Sequence, residues 1–204
     1  MQRATIVATT LAACLALAGC AEGDGGEGRP ATTEEPRSQG FDDYDFGDPV
    51  TNERGELVKQ VGQWGGFGAP DGSVVGVVRV TDIEPGFVCP QDPALEPENG
   101  QFVALTFEVE TSADLGPNLA GSDTIDITPE LLVARGDDGL EEDVTGAGPG
   151  CVGEDERLPT GIGPDEKAEG IVVIDTSAVA GTVVLDGAPM GVQGAWAWDL
   201  PPTP

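Results

Sequence analysis

The fold is decided by the stretch Gln101-Phe-Val-Ala-Leu-Thr-Phe-Glu-Val-Glu110, in which apolar and polar side chains alternate. Side chains two residues apart point to the same face of a strand. One face therefore carries Val103, Leu105, Phe107 and Val109, and the other carries Ala104, Thr106, Glu108 and Glu110. This pattern predicts a β-strand that buries one of its sides.

Short β-branched runs separated by turn residues surround this strand. They are Val74–Ile83, with a bulge near Gly76 or Asp82, Leu131–Arg135 and Leu140–Thr145 around the hairpin signal Asp138-Gly139, Ala168–Asp175, Gly181–Asp186 and Gly194–Leu200. About seven to eight short strands without a convincing helix predict an all-β chain. We expect one immunoglobulin-like β-sandwich domain over residues 58–204.

Residues 1–19 have the features of an export signal. Arg3 is followed by an uncharged, mostly apolar run that is too short to span a membrane stably. The run ends in Leu17-Ala18-Gly19-Cys20, which matches the lipobox of bacterial lipoproteins. This motif predicts cleavage before Cys20 and acyl chains such as palmitate on that cysteine, which would hold the protein on the extracytoplasmic face of the cell membrane. The alternative is an ordinary secreted protein cleaved after Ala18.

Residues 20–57 are predicted to form a disordered, acidic tether rich in Gly and Pro. Nothing in this stretch has the periodicity of a helix or a strand, and such a composition cannot offset its ordering entropy by burial. Within it, Phe41–Asp48 is an acidic and aromatic patch, for which a solvated linker, a partner-docking motif and a calcium loop are the alternatives. The spacing of an EF-hand is not met.

The net charge of −28 limits the surface partners of this chain. Such a field repels nucleic acid and anionic lipid headgroups, so the acyl chains are the expected contact with the membrane. The charge is compatible with solubility in a salty habitat or with cation binding. We expect a monomer.

Two cysteines remain in the domain, Cys89 and Cys151, and in an exported protein they are predicted to form a disulfide. Trp64 and Phe67 lie in a predicted Gly-rich loop and are the candidate ligand-facing aromatic residues. The loop around Cys89–Pro97 is a second candidate binding loop. Trp196 and Trp198 share one face of the last strand, where core packing is the favoured interpretation over a carbohydrate platform.

No catalytic, cofactor or metal site is predicted. The chain has no His, and its serines lack the sequence context of known nucleophiles. Arg135-Gly136-Asp137, a tripeptide that integrins bind, falls in the predicted hairpin turn and is interpreted as a chance match. We therefore do not expect an enzyme.

The lipobox, the acidic tether and Pro97-Glu98-Asn99-Gly100-Gln101 leading into the first strand described above resemble uncharacterised actinobacterial lipoproteins. The runs Gly170–Asp175 and Trp196–Leu200 also fit. The resemblance implies a telokin-like, immunoglobulin-like sandwich at the cell surface and assigns no catalytic residue. We expect an interaction or ligand-binding module with an unidentified ligand or envelope-protein partner. The alternative is a structural or accessory envelope lipoprotein without a small ligand.

Overall fold

The computed structural model describes residues 40–41, 43–118, 123–147 and 150–203. All of them belong to one compact unit. The predicted signal peptide, the lipidation site Cys20 and the tether up to residue 39 lie outside the described residues. None of the described helices is long and apolar enough to cross a membrane.

Ten strands account for the regular structure of the described residues. In chain order they are β1 (Leu57–Lys59), β2 (Gly65–Gly68), β3 (Val74–Pro85), β4 (Gln101–Thr111), β5 (Leu132–Arg135), β6 (Glu141–Glu142), β7 (Val144–Gly146), β8 (Lys167–Thr176), β9 (Gly181–Asp186) and β10 (Ala195–Leu200). A short helix, α1 (Leu115–Asn118), and two 3-10 turns, Pro129–Leu131 and Ala188–Met190, lie between them.

The strands form two five-stranded sheets that pack face to face. Sheet A has the order β1-β10-β9-β5-β6, and sheet B has the order β2-β3-β4-β8-β7. Neighbouring strands are antiparallel except for β1, which pairs in parallel with β10. The predicted all-β, immunoglobulin-like sandwich is confirmed, although it has more strands than expected.

The alternation in β4 determines which side of sheet B faces the core. Val103, Leu105, Phe107 and Val109 have no exposed surface. They pack with Trp196 and Trp198 of β10 in the main core between the sheets. The prediction that this tryptophan pair belongs to the core is confirmed, since Trp196 is 0% and Trp198 is 1% exposed.

The predicted irregularities and the hairpin are also present. The β3–β4 register shifts between Val80 and Asp82, and the β2–β3 register shifts where Gly68 pairs with Val74 rather than Val75. β5 and β6 form the antiparallel hairpin around Asp138-Gly139. The predicted strand Leu140–Thr145, however, divides in two. β6 belongs to sheet A and β7 to sheet B, so the chain passes between the sheets at Asp143.

The prediction of a solvated tether up to residue 57 is wrong from about residue 40 onward, which is nearly half of the predicted segment. Phe41 is buried, and Tyr44 and Phe46 pack against Trp64 and Val77 on the outer face of sheet B. Acidic composition suggested a solvated linker, but aromatic side chains spaced along this segment provide enough apolar surface to fix it on the sheet. The domain therefore begins near residue 40.

Candidate functional site

Trp64 and Phe67 are not ligand-facing, so the prediction of exposed aromatic residues is wrong. Phe67 is 0% exposed and contacts Trp196 edge-on at 5.2 Å between ring centroids. Trp64 is 7% exposed. The Gly-rich stretch was predicted to be a loop, but it forms β2, and its glycine at position 65 makes room for a core side chain. A Cβ on Gly65 would overlap the Trp196 ring.

Trp64 lies instead beneath an N-terminal clip, which we define as Phe41 and residues 43–48. The rings of Phe41 and Tyr44 meet edge-on at 5.4 Å, and those of Tyr44 and Trp64 at 5.0 Å. The Arg79 guanidinium lies over the Trp64 ring, 4.4 Å from the ring centroid. This is a favourable cation–π contact. The aromatic surface that the sequence offered for a ligand is thus covered by the protein's own chain.

Polar contacts hold the clip in place. The Tyr44 hydroxyl donates to Glu110 Oε2, which also accepts a 2.5 Å contact from Lys167 Nζ. The hydrogen bond to Glu110 raises the pKa of Tyr44, and the same carboxylate raises the pKa of Lys167. Burial acts to raise the pKa of Glu110, but hydrogen bonds from Lys167 and Tyr44 outweigh it and lower that pKa. A cleft of about 490 Å³ lies beside these groups.

The predicted disulfide is present. Cys89 and Cys151 are bonded, with their Cα atoms 4.4 Å apart and a sequence separation of 62 residues. Both are buried, and they pack against Phe102, Ala104 and Val173. Their two loops therefore meet over the outer face of sheet B.

Asp175 fixes the end of the loop that contains Cys89. Its carboxylate accepts backbone hydrogen bonds from Glu98 (2.6 Å) and Asn99 (3.0 Å), and it is only 3% exposed. The Asn99 side chain donates to Thr145 Oγ1 at 3.0 Å. The sequence analysis missed this role of Asp175, and the run Gly170–Asp175 gave no sign of it beyond its strand pattern.

The cleft beside the clip is lined mainly by polar and charged residues. A second ligand-sized space among the described residues has a mainly apolar lining and is a slot of about 400 Å³ at the outer edge of β8. Four chain segments line it. The lining residues are Ile127, Thr128, Pro129 and Glu130; Gly146 and Ala147; Cys151, Val152, Arg157, Leu158 and Thr160; and Ile171, Val172 and Val173. Most of these residues are apolar, and six of the fourteen are buried, whereas Glu130, Gly146 and Thr160 are exposed and form the mouth.

One wall of the slot is a strap, which we define as residues 151–158. It is attached to the disulfide at one end and to β8 at the other, where Ile171 N donates to Glu156 O (2.8 Å) and Leu158 N to Ile171 O (3.2 Å). Gly170 permits this close approach, because a Cβ there would lie 2.5 Å from the carbonyl carbon of Arg157. The opposite wall begins where Ala147 N donates to Val173 O at 3.2 Å. The slot is the space along β8 between the strap, which bonds to Ile171, and Ala147, which bonds to Val173.

Two charged side chains reach the slot from its described lining. Glu130 lies at the mouth, and a hydrogen bond from the Thr128 side chain lowers the pKa of its carboxyl group. Arg157 lies in the wall, and its Nε is buried without a hydrogen-bond partner. Its Nη2 is 3.8 Å from Glu154, a residue whose side chain is 97% exposed. The slot therefore combines apolar walls with one guanidinium that has unused hydrogen-bonding capacity.

A metal site is not found in the part of the chain that the structure describes, where no group of three or more Cys, Asp or Glu side chains is placed to hold an ion. The tripeptide Arg135-Gly136-Asp137 is unsuited to docking because Arg135 is buried in an ion pair with Glu56, at 2.8 Å.

Comparison with known proteins assigns the chain to no family. No family model matches the chain, and no curated protein matches it. The resemblance to actinobacterial lipoproteins therefore stays a prediction. Among solved structures, the chain is similar to MPT63, a secreted protein from Mycobacterium tuberculosis. The two are 19% identical with a TM-score of 0.45, and the match covers 71% of this chain and 97% of that one.

Proposed function

We propose that this protein is a lipid-anchored, extracytoplasmic binding module. Residues 1–19 would direct export, acyl chains on Cys20 would attach the mature chain to the membrane, and the sandwich would bind a small ligand in the slot beside the disulfide. With the domain beginning near residue 40, about 20 residues remain for a tether, and a flexible coil of that length spans roughly 25 Å.

Export is supported by two independent features of the chain. The lipobox Leu17–Cys20 follows an uncharged apolar run. The Cys89–Cys151 disulfide holds two long loops together, and such bonds persist in oxidising compartments outside the cytoplasm.

The observation that carries the binding function is the slot itself. Its volume of about 400 Å³ falls within the range of small-molecule sites, which are apolar clefts with a few placed polar groups. The aromatic face is a weaker candidate because the N-terminal clip already occupies it. The loop around Cys89–Pro97 contributes indirectly, since it anchors the strap through the disulfide.

The anchor is tested by metabolic labelling in the producing cells. The wild-type protein is expected to incorporate an alkyne-palmitate probe and to stay in the membrane fraction after high-salt washing. Cys20→Ser should incorporate no label and leave that fraction, because the sequence offers no second apolar anchor. An unlabelled wild-type protein, or a Cys20→Ser variant that remains tightly membrane-bound, would contradict the proposal.

The slot is tested by filling it. The mature chain, residues 20–204 with Cys20→Ser, is mixed with a lipid and metabolite extract of the cell envelope, and its melting temperature is recorded. Ligand binding to the folded state should raise that temperature. Ala147→Phe places a ring in the slot and should abolish the rise, whereas Ala94→Phe, on an exposed loop, is the matched control and should preserve it. No rise in any of the three proteins would favour the accessory envelope role instead.

A further inference from the structure

Arg157 differs from the other basic side chains of the described residues in having no close partner. Arg79 and Arg135 pair with carboxylates at 2.5 and 2.8 Å, and Lys167 pairs with Glu110 at 2.5 Å. Arg54 and Lys59 donate to backbone carbonyls at 2.7 and 2.6 Å. Only the loose 3.8 Å approach of Glu154 is left for Arg157.

The position of Arg157 is nevertheless fixed. Its backbone N donates to Gly153 O at 3.1 Å, and the residue forms a parallel bridge with Ile171 of β8. Arg157 lines the slot, and although its Nε has no exposed surface, the side chain as a whole is 34% exposed and is therefore accessible to a ligand. Because the nearest carboxylate is that of the exposed Glu154, at 3.8 Å, a ligand carboxylate can form a charge-assisted hydrogen bond with this guanidinium without displacing a close partner.

The walls around this donor are apolar. Ile127, Leu158 and Val173 are each less than one-tenth exposed, and they offer no hydrogen-bonding side chain to a ligand. An arginine next to such walls suits a molecule with an apolar body and one carboxylate, because a guanidinium can donate two parallel hydrogen bonds to a carboxylate.

We propose that the slot binds an amphipathic monocarboxylate, with its apolar body against Ile127, Leu158 and Val173 and its carboxylate on Arg157. This proposal rests on the proposed function, because it assigns a ligand class to the same slot. The net charge of −28 opposes the approach of any anion, but salt screens that field within about 10 Å at 0.1 M. The contact with Arg157 is short-ranged and is much less affected.

The test is a calorimetric titration of the disulfide-bonded mature chain with three ten-carbon probes that differ only in their head group: sodium decanoate, decanol and decylammonium chloride. We expect decanoate to bind most tightly. Arg157→Gln should weaken decanoate binding by about tenfold or more, in keeping with the loss of a charge-assisted hydrogen bond, and should leave decanol binding unchanged. Arg157→Lys should bind decanoate more tightly than Arg157→Gln but more weakly than the wild type, because an ammonium group lacks the paired donors.

Arg54→Gln is the matched control, since it removes the same charge from an exposed residue outside the slot, and it should not alter decanoate binding. Stronger binding of decylammonium than of decanoate would overturn the ligand class, and so would an Arg157→Gln variant that binds decanoate as the wild type does. These outcomes differ from failure of the proposed function. In that case decanoate binding would survive Ala147→Phe, or none of the three probes would bind.

Discussion

Loss of the Cys89–Cys151 disulfide should destabilise the domain strongly without unfolding it. The bond closes a loop of 62 residues, and a cross-link of this length restricts the unfolded chain by about 4 kcal/mol. For a domain of this size, we expect the melting temperature of the Cys89→Ala/Cys151→Ala double variant to fall by roughly 8–16 °C. The sheets should persist because their main core does not include either cysteine.

The measurement is urea unfolding followed by tryptophan fluorescence, since Trp64, Trp196 and Trp198 are all buried. The free energy of unfolding is extrapolated to water for the oxidised wild type, the reduced wild type and the double variant. Reduction should destabilise the wild type by a similar amount and should leave the double variant unchanged, which controls for the reductant. A difference of less than about 1 kcal/mol between oxidised and reduced wild type would refute the loop-closure argument.

Two further substitutions test the core and the clip. Gly65→Ala should lower the free energy of unfolding by about 1–3 kcal/mol in urea titrations, because its Cβ would overlap Trp196. Gly150→Ala, which meets nothing within 4 Å, is the control, and equal stability of the two variants would contradict the packing argument. Tyr44→Phe should cost about 1 kcal/mol and expose the N-terminal clip to limited proteolysis. The bond to Glu110 raises the pKa of Tyr44. The contribution of this hydrogen bond to stability is therefore fully present below about pH 10 and is lost as the pH rises through the folded-state pKa. If the clip stays equally protected from proteolysis in alkaline solution, this role of Tyr44 is contradicted.

The sequence predicted those parts of the fold that depend on local patterns. Alternation in β4 identified its buried face, and the Asp138-Gly139 signal identified a hairpin. The disulfide followed from the fact that only Cys89 and Cys151 remain in the domain if the chain is exported as predicted. In each case the determining residues are neighbours in the chain, or the choice of partners is limited to one.

Features that depend on distant contacts were missed. The clip is acidic, and its attachment requires Trp64, Glu110 and Lys167, which are far apart in sequence. Gly65 suggested a flexible loop because the ring that needs its missing side chain, Trp196, comes 131 residues later. Composition alone gives no information about either contact.

The slot could not be predicted from any single motif. Its lining comes from four separate segments. Its one basic group, Arg157, differs from the other described basic residues in having no close hydrogen-bonding or ion-pair partner. Such a difference depends on the three-dimensional positions of all neighbouring carboxylates. The sequence did contain one general indication of where the slot lies. It predicted a disulfide between Cys89 and Cys151, and such a bond holds two loops in the fixed position that a binding site needs.

The central claim is that this protein binds its ligand in the slot and not on the aromatic face under the clip. It is tested most directly by amide chemical-shift mapping of the ¹⁵N-labelled mature chain during titration with sodium decanoate. We predict that the largest shifts occur at Ala147, Val152 and Arg157, which line the slot. Shifts concentrated at Tyr44 and Trp64, with the slot residues unchanged, would contradict the account.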